Sequence, residues 1–551
     1  MIMKRYISNV IVSLALVSAP ILVSCSSDYL DTAPTESVST GDAISNAENA
    51  YKALNGIAKT MSTQQYAWSQ GCAGENRIFV IYENYASQYY YYNYYAQGWA
   101  PIMNLKYSLR NNTSYDAYPW YYYYTIIGQA NTIIAHVDDA TGDEGQKMFV
   151  KASALAFRAY AYEKLMRYYA PRWQDSNSGS ALGVILRLDE SIDGLAQSSC
   201  ADCYAQIYKD CEDAITLFGQ TDFKRPSNEV WIANENVAHA VYARAALARL
   251  DYSTALAQAK LAKQGFPLMS NADYYAGFCR PNSEWIFGSF GDATENNWYW
   301  SYGTQYSCNG YYANNAATGA GSIDITVTDQ IPDDDIRKGL FLTADKFPSF
   351  DLTNPKHNDA YYRTYGLLGF SDDDLWDEVD AYVEARHAIS ASSMERPYQP
   401  GYYYIGGQLK FYVFDTPGIS YLPFIRTSEM ILIEAEANYF LKHTEAAQAA
   451  LVELNASSGR DADYTCDKTG EDLWTEIRNY RALELWGEGT GFSDFKRWNM
   501  DIERKGLTAG GSAAAAIAVT IKANDPNWTW VIPQWETDYN DAFKDTTASN
   551  E

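Results

Sequence analysis

Residues 238–263, AHAVYARAALARLDYSTALAQAKLAK, decide the fold of this chain of 551 residues. Alanine recurs along the stretch, and the pair Asp251-Tyr252 lies near its middle. An alanine-rich segment favours helix, because alanine loses no side-chain freedom in that conformation. The stretch therefore predicts two helical arms joined by a turn at Asp251-Tyr252.

The spacing of small residues indicates the kind of hairpin. Ala243, Ala255, Ala262 and Pro267 are separated by 12, 7 and 5 residues. Tetratricopeptide hairpins place their small residues and terminal proline at these separations, because two closely crossing helices exclude large side chains. We therefore expect a tetratricopeptide-like hairpin that stacks with further helix pairs.

Helical patterns continue on both sides of the hairpin. They are rich in alanine, leucine and aromatic residues, and the first of them stops at Pro171. The helices predicted in this way cover 149–169, 203–218, 427–440, 445–454 and 471–486.

Two stretches, 62–118 and 266–424, lack helical periodicity and carry Gly, Pro, Asn, Asp and many aromatic residues. Flexible linkers lack large aromatic residues, so both are predicted to be ordered loops and short strands. The predicted fold is mostly α. Tetratricopeptide-like helical hairpins form a scaffold at about 119–265 and 425–500, and the two stretches form loop-rich, ligand-facing regions.

Charge and motif content favour binding over catalysis. The chain has 68 Asp and Glu against 42 Lys and Arg, a net charge of −26, so it repels phosphate backbones and no nucleic-acid partner is expected. The mean hydropathy of −0.35 fits a soluble globular body. No phosphate-binding loop, zinc-protease pair or nucleophile elbow occurs, and the five histidines are dispersed.

The N-terminus has the pattern of a bacterial lipoprotein signal. Lys4 and Arg5 precede a broken apolar stretch, and Leu22-Val23-Ser24-Cys25 is similar to a lipobox, in which the cysteine is acylated. We predict a signal peptide at 1–24, lipidation of Cys25 and a single body at 25–551. The alternative is an ordinary secretory signal with an incidental cysteine.

Cysteines and acidic runs are weak metal signals. Cys200, Cys203 and Cys211 lack a partner pair at zinc-ligand spacing, and the last two share one helical stripe with apolar residues, so a core role is favoured. Asp residues 333–335 and 372–374 have the chemistry for calcium but no EF-hand spacing, which favours solvated loop acids. No metal site or cofactor is predicted, and calcium is left open.

Tyrosine is the residue type that points to a ligand. The chain has 48 Tyr against 20 Phe, with 15 Trp, and a dry core would be served equally well by Phe. Clustered wet rings fit a carbohydrate platform, because sugar C–H faces lie flat on aromatic rings. Packing of loops onto the scaffold is the alternative for any single ring. On this chemistry we select stacking rings and a polar rim: Trp99, Trp298, Trp300 and Tyr302, with Glu75, Asn76 and Arg77.

Several motifs in order resemble the SusD/RagB family of outer-membrane nutrient-binding lipoproteins, to which starch-binding SusD belongs. They cover most of the chain. Those motifs are DYLDTAP at 28–34, Trp120 with Tyr124, Ile127 and Asn131, Arg158-Ala159-Tyr160, FIRTSE at 424–429, LIEAEA at 432–437, Arg481 with Glu484 and Glu488-Gly489, DFKRW at 494–498, and Ile532-Pro533 with Glu536.

The resemblance implies a non-enzymatic lipoprotein exposed on the outer membrane, facing the cell exterior. It would bind oligosaccharide or polysaccharide and pass it to a SusC-like, TonB-dependent transporter. A peptide cargo on the same architecture and a secreted glycoside hydrolase are the two alternatives.

The motif spacing also predicts ion pairs. Arg481 and Glu484 are one helical turn apart, as are Asp494 and Arg497, and each pair is expected to interact. Gly491 stands where the family usually has Arg. One ion pair of the family's network of charged residues is therefore in question for this chain.

Overall fold

The computed structural model describes residues 44–65, 72–91, 99–278, 280–290, 322–351, 353–354, 357, 361–362, 374–388, 402–403, 406–411, 421–506, 509–511 and 513–543. The predicted signal peptide at 1–24, the lipidation site Cys25 and the body boundary at residue 25 lie outside these ranges and stay predictions. Among the helices described, none combines the length and the hydropathy that a membrane crossing requires.

Helices make up more than half of the described chain, which confirms the mostly α prediction. Those of eight residues or more are α1 Ala47–Ser62, α2 Ser114–His136, α3 Glu144–Tyr169, α4 Cys200–Phe218, α5 Glu235–Ala248, α6 Tyr252–Ala262, α7 Asp374–His387, α8 Thr427–Phe440, α9 Thr444–Val452, α10 Gly470–Glu484 and α11 Gly491–Trp498.

Shorter helical pieces join these elements. Two are π-helical, Ile78–Asn84 and Glu453–Ser457. The short α-helices are Gly74–Arg77, Ala100–Met103, Asn271–Tyr274, Ile325–Thr328 and Gln534–Tyr539. The 3₁₀ turns are Val137–Asp139, Trp173–Asp175, Lys338–Leu340, Ala344–Lys346, Pro526–Trp528 and Asp541–Phe543.

The described strands are short and form antiparallel pairs: β1 Tyr90–Tyr91 with β3 Ser322–Ile323, β2 Trp285–Gly288 with β6 Pro423–Arg426, β4 Tyr361–Tyr362 with β5 Tyr402–Tyr403, and β7 Ile502–Glu503 with β8 Thr520–Ile521. The first three pairs join segments distant in sequence and the last joins neighbouring segments, so the strands tie the irregular regions together instead of forming a core sheet.

The alanine-rich stretch forms the expected hairpin of α5 and α6. The side chains of Asn234 and Asp251 accept hydrogen bonds from the backbone N–H groups of Val237 and Thr254, which satisfies donors that a helix start leaves unpaired. Ala243, Ala255 and Ala262 are fully buried at the crossing. Helix α6 packs on α8 and α8 packs on α9, so the hairpins stack as predicted.

Helix α3 is the centre of the core, and its neighbours are α1, α2, α4 and α5. Nearly all of its side chains are buried. Cys203 and Cys211 in α4 are fully buried, which confirms the core role predicted for their stripe, and Trp120 in α2 is fully buried as well.

The region 62–118, predicted as loops and short strands, is partly helical and deeply buried. Every residue from Gly74 to Asn84 is buried. The physical reason is the apolar run Ile78-Phe79-Val80-Ile81, which buries all four side chains in succession when the chain winds as a wide π-turn. Helix α7 likewise lies inside the second region predicted to be loop-rich.

A network of eight buried charges joins β6, α10 and the segments around them. Four positive and four negative groups, each at most 5% exposed, make direct ion pairs: Arg337, Lys410, Arg426 and Arg460 with Glu284, Asp335, Glu484 and Glu488. The charges balance within the network, which is the condition under which buried ions are tolerated.

One predicted ion pair is wrong and one is confirmed. Arg481 bonds Asp494 at 2.6 Å, whereas Glu484 faces the buried network and pairs with Arg426 at 3.0 Å. Adjacent turns place the two side chains near each other, but stronger tertiary partners direct them apart. Asp494 and Arg497 pair at 2.9 Å as expected.

Gly491 follows from close packing in this structure. A Cβ there would lie 2.4 Å from the Cβ of Ser87, which has no room to move because Ser87 is itself buried. A residue with a side chain, such as the family's usual Arg, would require this segment to sit further away.

Candidate functional site

Three half-buried aromatic rings form a continuous surface at the start of α2. Trp99 precedes the short helix Ala100–Met103, and Tyr107 and Tyr115 follow it. The ring centroids of Tyr107 and Tyr115 are 5.1 Å apart, and those of Trp99 and Tyr115 are 6.4 Å apart at 85°. We call these three residues the aromatic edge. Their partial exposure leaves ring surface available for a ligand.

Two arginines flank the aromatic edge. The buried Arg77 guanidinium lies 5.2 Å from the Tyr115 centroid and 6.0 Å from that of Trp99, a cation–π arrangement that fixes both rings from beneath. The exposed Arg110 lies 4.9 Å from the Tyr107 ring. Arg77 Nε has no hydrogen-bond partner among the described residues. The edge thus combines apolar faces with guanidinium donors.

The structure corrects the predicted polar rim. Glu75, Asn76 and Arg77 are 0%, 6% and 9% exposed, because they begin the buried helical segment described above. Glu75 accepts a hydrogen bond from the Tyr122 hydroxyl at 3.2 Å, and burial raises the pKa of its carboxyl. Only Arg77 contacts the rings, and it does so from below the surface.

The strand pair β1–β3 ties the chain at Tyr90–Tyr91 to the chain at Ser322–Ile323. Tyr91, the last described residue before 92–98, pairs with Ser322, the first described residue after 291–321. The Tyr90 ring stacks on Trp486 at 4.9 Å, and Trp486 Nε1 donates to the Tyr89 carbonyl at 2.8 Å. This packing anchors β1 to the scaffold. The predicted ligand residues Trp298, Trp300 and Tyr302 lie outside the described residues.

Sequence reasoning missed Tyr107, Tyr115 and Arg110. None of the three belongs to a run of consecutive aromatic residues, and such runs guided the choice of stacking residues. A usable signal existed in the polar sequence Arg110-Asn111-Asn112, which is exposed and immediately precedes Thr113, the N-cap of α2.

The side chain of Asp116, next to Tyr115, is a buried carboxyl without a hydrogen-bond partner among the described residues. It is 0% exposed, and neither of its carboxyl oxygens has a hydrogen-bond partner among the described residues. Burial raises the pKa of Asp116 to about 8, because the charged form loses its hydration. The carboxyl is therefore neutral in the folded protein at neutral pH.

This carboxyl should make stability depend on pH. In the unfolded chain the group ionises near pH 4, so between about pH 4 and 8 the folded state holds the extra proton and stability falls as pH rises. Asp116→Asn removes the titration, and we expect its melting temperature relative to wild type to be about 2–4 °C higher at pH 8 than at pH 5. Differential scanning calorimetry measures this; the exposed Asp139→Asn is the control, and a parallel wild-type and Asp116→Asn profile would contradict the assignment.

The acidic runs give no cation site in the described part of the chain, where no cluster of three or more potential ligands occurs. Asp333 is exposed, as expected of a solvated acid, and pairs with Lys338 at 2.6 Å. The expectation of a solvated acid is wrong for Asp335, because this residue is buried against Arg337 within the ionic network. Asp372 and Asp373 lie outside the described residues.

Two family models match the chain in succession. A model described as "Starch-binding associating with outer membrane" matches residues 28–247, and one described as "SusD family" matches residues 283–548. No protein of curated function gives a significant match.

Solved structures share the fold. A SusD-like carbohydrate binding protein from Bacteroides vulgatus is 18% identical, with 91% of this chain and 98% of that chain covered and a TM-score of 0.69. A SusD superfamily protein from Bacteroides thetaiotaomicron is 21% identical, with 90% and 98% covered and a TM-score of 0.64. A laminarin binding SusD-like protein is 18% identical, with 82% and 91% covered and a TM-score of 0.57.

Proposed function

Because this chain belongs to the SusD/RagB family, we propose that it is a non-catalytic carbohydrate-binding protein associated with the outer membrane. In this proposal Cys25 carries the lipid that tethers the protein, and the body faces the cell exterior. It holds an oligosaccharide or polysaccharide and passes it to a SusC-like, TonB-dependent transporter.

The aromatic edge is the observation that carries the proposal. Trp99, Tyr107 and Tyr115 offer ring faces of the kind on which the C–H faces of a sugar stack, and their rigidity keeps the entropic cost of contact low. The exposed Arg110 supplies N–H donors for sugar hydroxyls at the margin. Arg77 holds the rings in place from beneath.

The pairing of β1 with β3 supports a larger platform. Residues 291–321 contain Trp298, Trp300 and Tyr302, and the residue that follows them, Ser322, pairs with Tyr91, eight residues before Trp99. We propose that these rings extend the aromatic edge and that several consecutive sugar units lie across both segments.

The acids nearest the edge support binding without cleavage. Glycoside hydrolysis needs two carboxyl groups flanking the scissile bond, one of them ionised. The two acids closest in sequence to Arg77 and Tyr115 are Glu75 and Asp116, both fully buried, and burial raises the pKa of each. Both carboxyl groups are buried, whereas the rings offered to a sugar are partly exposed.

Trp99→Ala should weaken glycan binding at least about tenfold, since large central aromatic residues dominate binding energies. Isothermal titration calorimetry against a panel of soluble polysaccharides and oligosaccharides, beginning with laminarin, measures the affinity. Trp535→Ala is the matched control, because Trp535 is 58% exposed on the separate helix Gln534–Tyr539.

Equal affinity of wild type and Trp99→Ala for a glycan that binds would remove the aromatic edge from the site. Heat of binding with peptides alone would replace the carbohydrate cargo by a peptide one. Release of reducing ends from a bound glycan would show that the protein is an enzyme.

A further inference from the structure

A cavity of about 50 Å³, lined by both apolar and charged side chains, lies where α3, α5, α8 and α11 meet, away from the residues of the aromatic edge. It has room for more than one water molecule. Its charged lining residues are unusual for an interior: Arg167, Arg172, Arg244, Arg481, Lys496 and Arg497, with Glu163, Glu429 and Asp494. We call it the cationic cavity.

The arginines of the cavity use only part of their hydrogen-bonding capacity. Arg244 directs Nε to Glu429 at 2.8 Å and Arg481 directs Nε to Asp494 at 2.6 Å. Arg172 directs Nε to Asp175 at 2.6 Å. The Nη1 atom of each of these three arginines is buried and has no hydrogen-bond partner among the described residues. Buried polar groups are normally satisfied, so three such donors around one cavity call for an acceptor.

The cavity also contains one acceptor in need of a donor. Glu163 is 2% exposed and gives Oε1 to Arg167, while its Oε2 atom is buried without a partner among the described residues. An occupant that satisfies the three Nη1 atoms and Glu163 Oε2 must accept several N–H hydrogen bonds and donate one hydrogen bond of its own.

Lys496 adds positive charge at the same place. Its Nζ donates to the carbonyls of Arg167 and Ala170 at 2.8 and 2.7 Å, which leaves one of three ammonium protons for the cavity. Burial, together with the neighbouring Arg172, lowers the pKa of Lys496 to about 7. An anion in the cavity would favour the charged form of this lysine.

Acids just outside the cavity balance its excess of positive charge, so the case for an anion rests on the unpartnered donors and not on net charge. Glu83 lies 3.8 Å from Arg167, Glu436 pairs with Arg497, and Asp175 is half exposed beside Arg172. Arg244 and Arg481 share the remaining inner acids, Glu429 and Asp494. The donors that remain without a partner belong to guanidinium groups. Such groups form strong, directional hydrogen bonds to oxyanions.

We propose that the cationic cavity binds a small tetrahedral oxyanion that still carries a proton, namely hydrogen phosphate. Arg172, Arg244 and Arg481 donate to its oxygens from their Nη1 atoms, and its P–OH group donates to Glu163 Oε2. The site is independent of the aromatic edge. Sulfate has the same shape but no proton at neutral pH, so Glu163 disfavours it.

The test uses the purified full-length protein and inorganic anions at constant ionic strength. We expect calorimetry to show phosphate binding with a Kd below about 1 mM, tighter than sulfate, and no heat with chloride. Arg172→Gln should weaken phosphate binding at least about tenfold, because one charge-assisted hydrogen bond is lost. Arg172 is partly exposed, so this variant should fold; Arg280→Gln, at an exposed arginine outside both the cavity and the aromatic edge, is the control.

A second variant separates an oxyanion site from water-filled space. Glu163→Gln removes the charge that discriminates against sulfate, so sulfate and phosphate affinities should converge. Unchanged phosphate affinity in Arg172→Gln, or no phosphate binding by wild type, would overturn the proposal. A preference for phosphate that persists in Glu163→Gln would overturn the role of Glu163. Loss of glycan binding in Trp99→Ala bears on neither result.

Discussion

Replacing Arg426 by methionine should lower the free energy of unfolding by about 3–5 kcal/mol, the cost of removing one partner from a buried ion pair. Arg426 is 1% exposed and bonds Glu488 at 2.6 Å, Glu284 at 2.6 Å and Glu484 at 3.0 Å. Methionine keeps much of the volume but none of the charge. The network would then hold four negative groups against three positive ones in a poorly solvated interior.

Urea unfolding followed by circular dichroism measures this loss. Lys52→Met is the matched control, since Lys52 pairs with Glu48 on the exposed surface, where water and salt screen the attraction. A loss at Arg426 as small as at Lys52 would mean that the buried carboxylates find other compensation, and the assigned role of the network would be wrong.

Gly74→Ala should destabilise the protein by about 3 kcal/mol or more. Gly74 has φ +57°, a conformation unfavourable for residues with a Cβ, and a Cβ there would lie 2.0 Å from the carbonyl oxygen of Met61. The clash is with backbone at the end of α1, so no side-chain rotation relieves it. Relief requires moving the helical segment that begins at Gly74 and carries Arg77.

Gly56→Ala, on an exposed face of α1, is the control for this change. Nothing lies within 4 Å of the Cβ it would add, so helix propensity should raise stability by about 0.5–1 kcal/mol. Thermal unfolding of both variants gives the comparison. Similar stability of Gly74→Ala and wild type would show that the close approach to Met61 is not a constraint in solution.

Most of the helical scaffold could be predicted from local sequence. The hairpin of α5 and α6 was predicted because its small residues have a fixed spacing, and α8 was predicted with its observed bounds because its motif is continuous. The buried segment Gly74–Asn84 was missed, since a short apolar run flanked by glycine has no helical period. The partner of Arg481 was missed because the pairing with Asp494 depends on how α10 and α11 pack.

The candidate site was less predictable than the scaffold. Trp99 was selected because it follows a run of tyrosines, and it does lie among partly exposed rings. Tyr107 and Tyr115 come together only because the short helix Ala100–Met103 turns the chain between them and Trp99. Glu75 is buried because of how the whole body packs, and the residues next to it in the sequence do not indicate this burial.

The two-residue ladder of β1 with β3 has a consequence for how such a protein can diversify. Neighbouring strands lie about 5 Å apart, so the ladder fixes the point where one tyrosine-rich segment leaves, at Tyr91, close to the point where the other ends, at Ser322. A segment of different length or composition, spliced in after Tyr91 or before Ser322, would meet the same fixed attachment points, at an entropic penalty that grows only slowly with length. The cargo preference could thus change through these two segments while the buried ionic network stays the same.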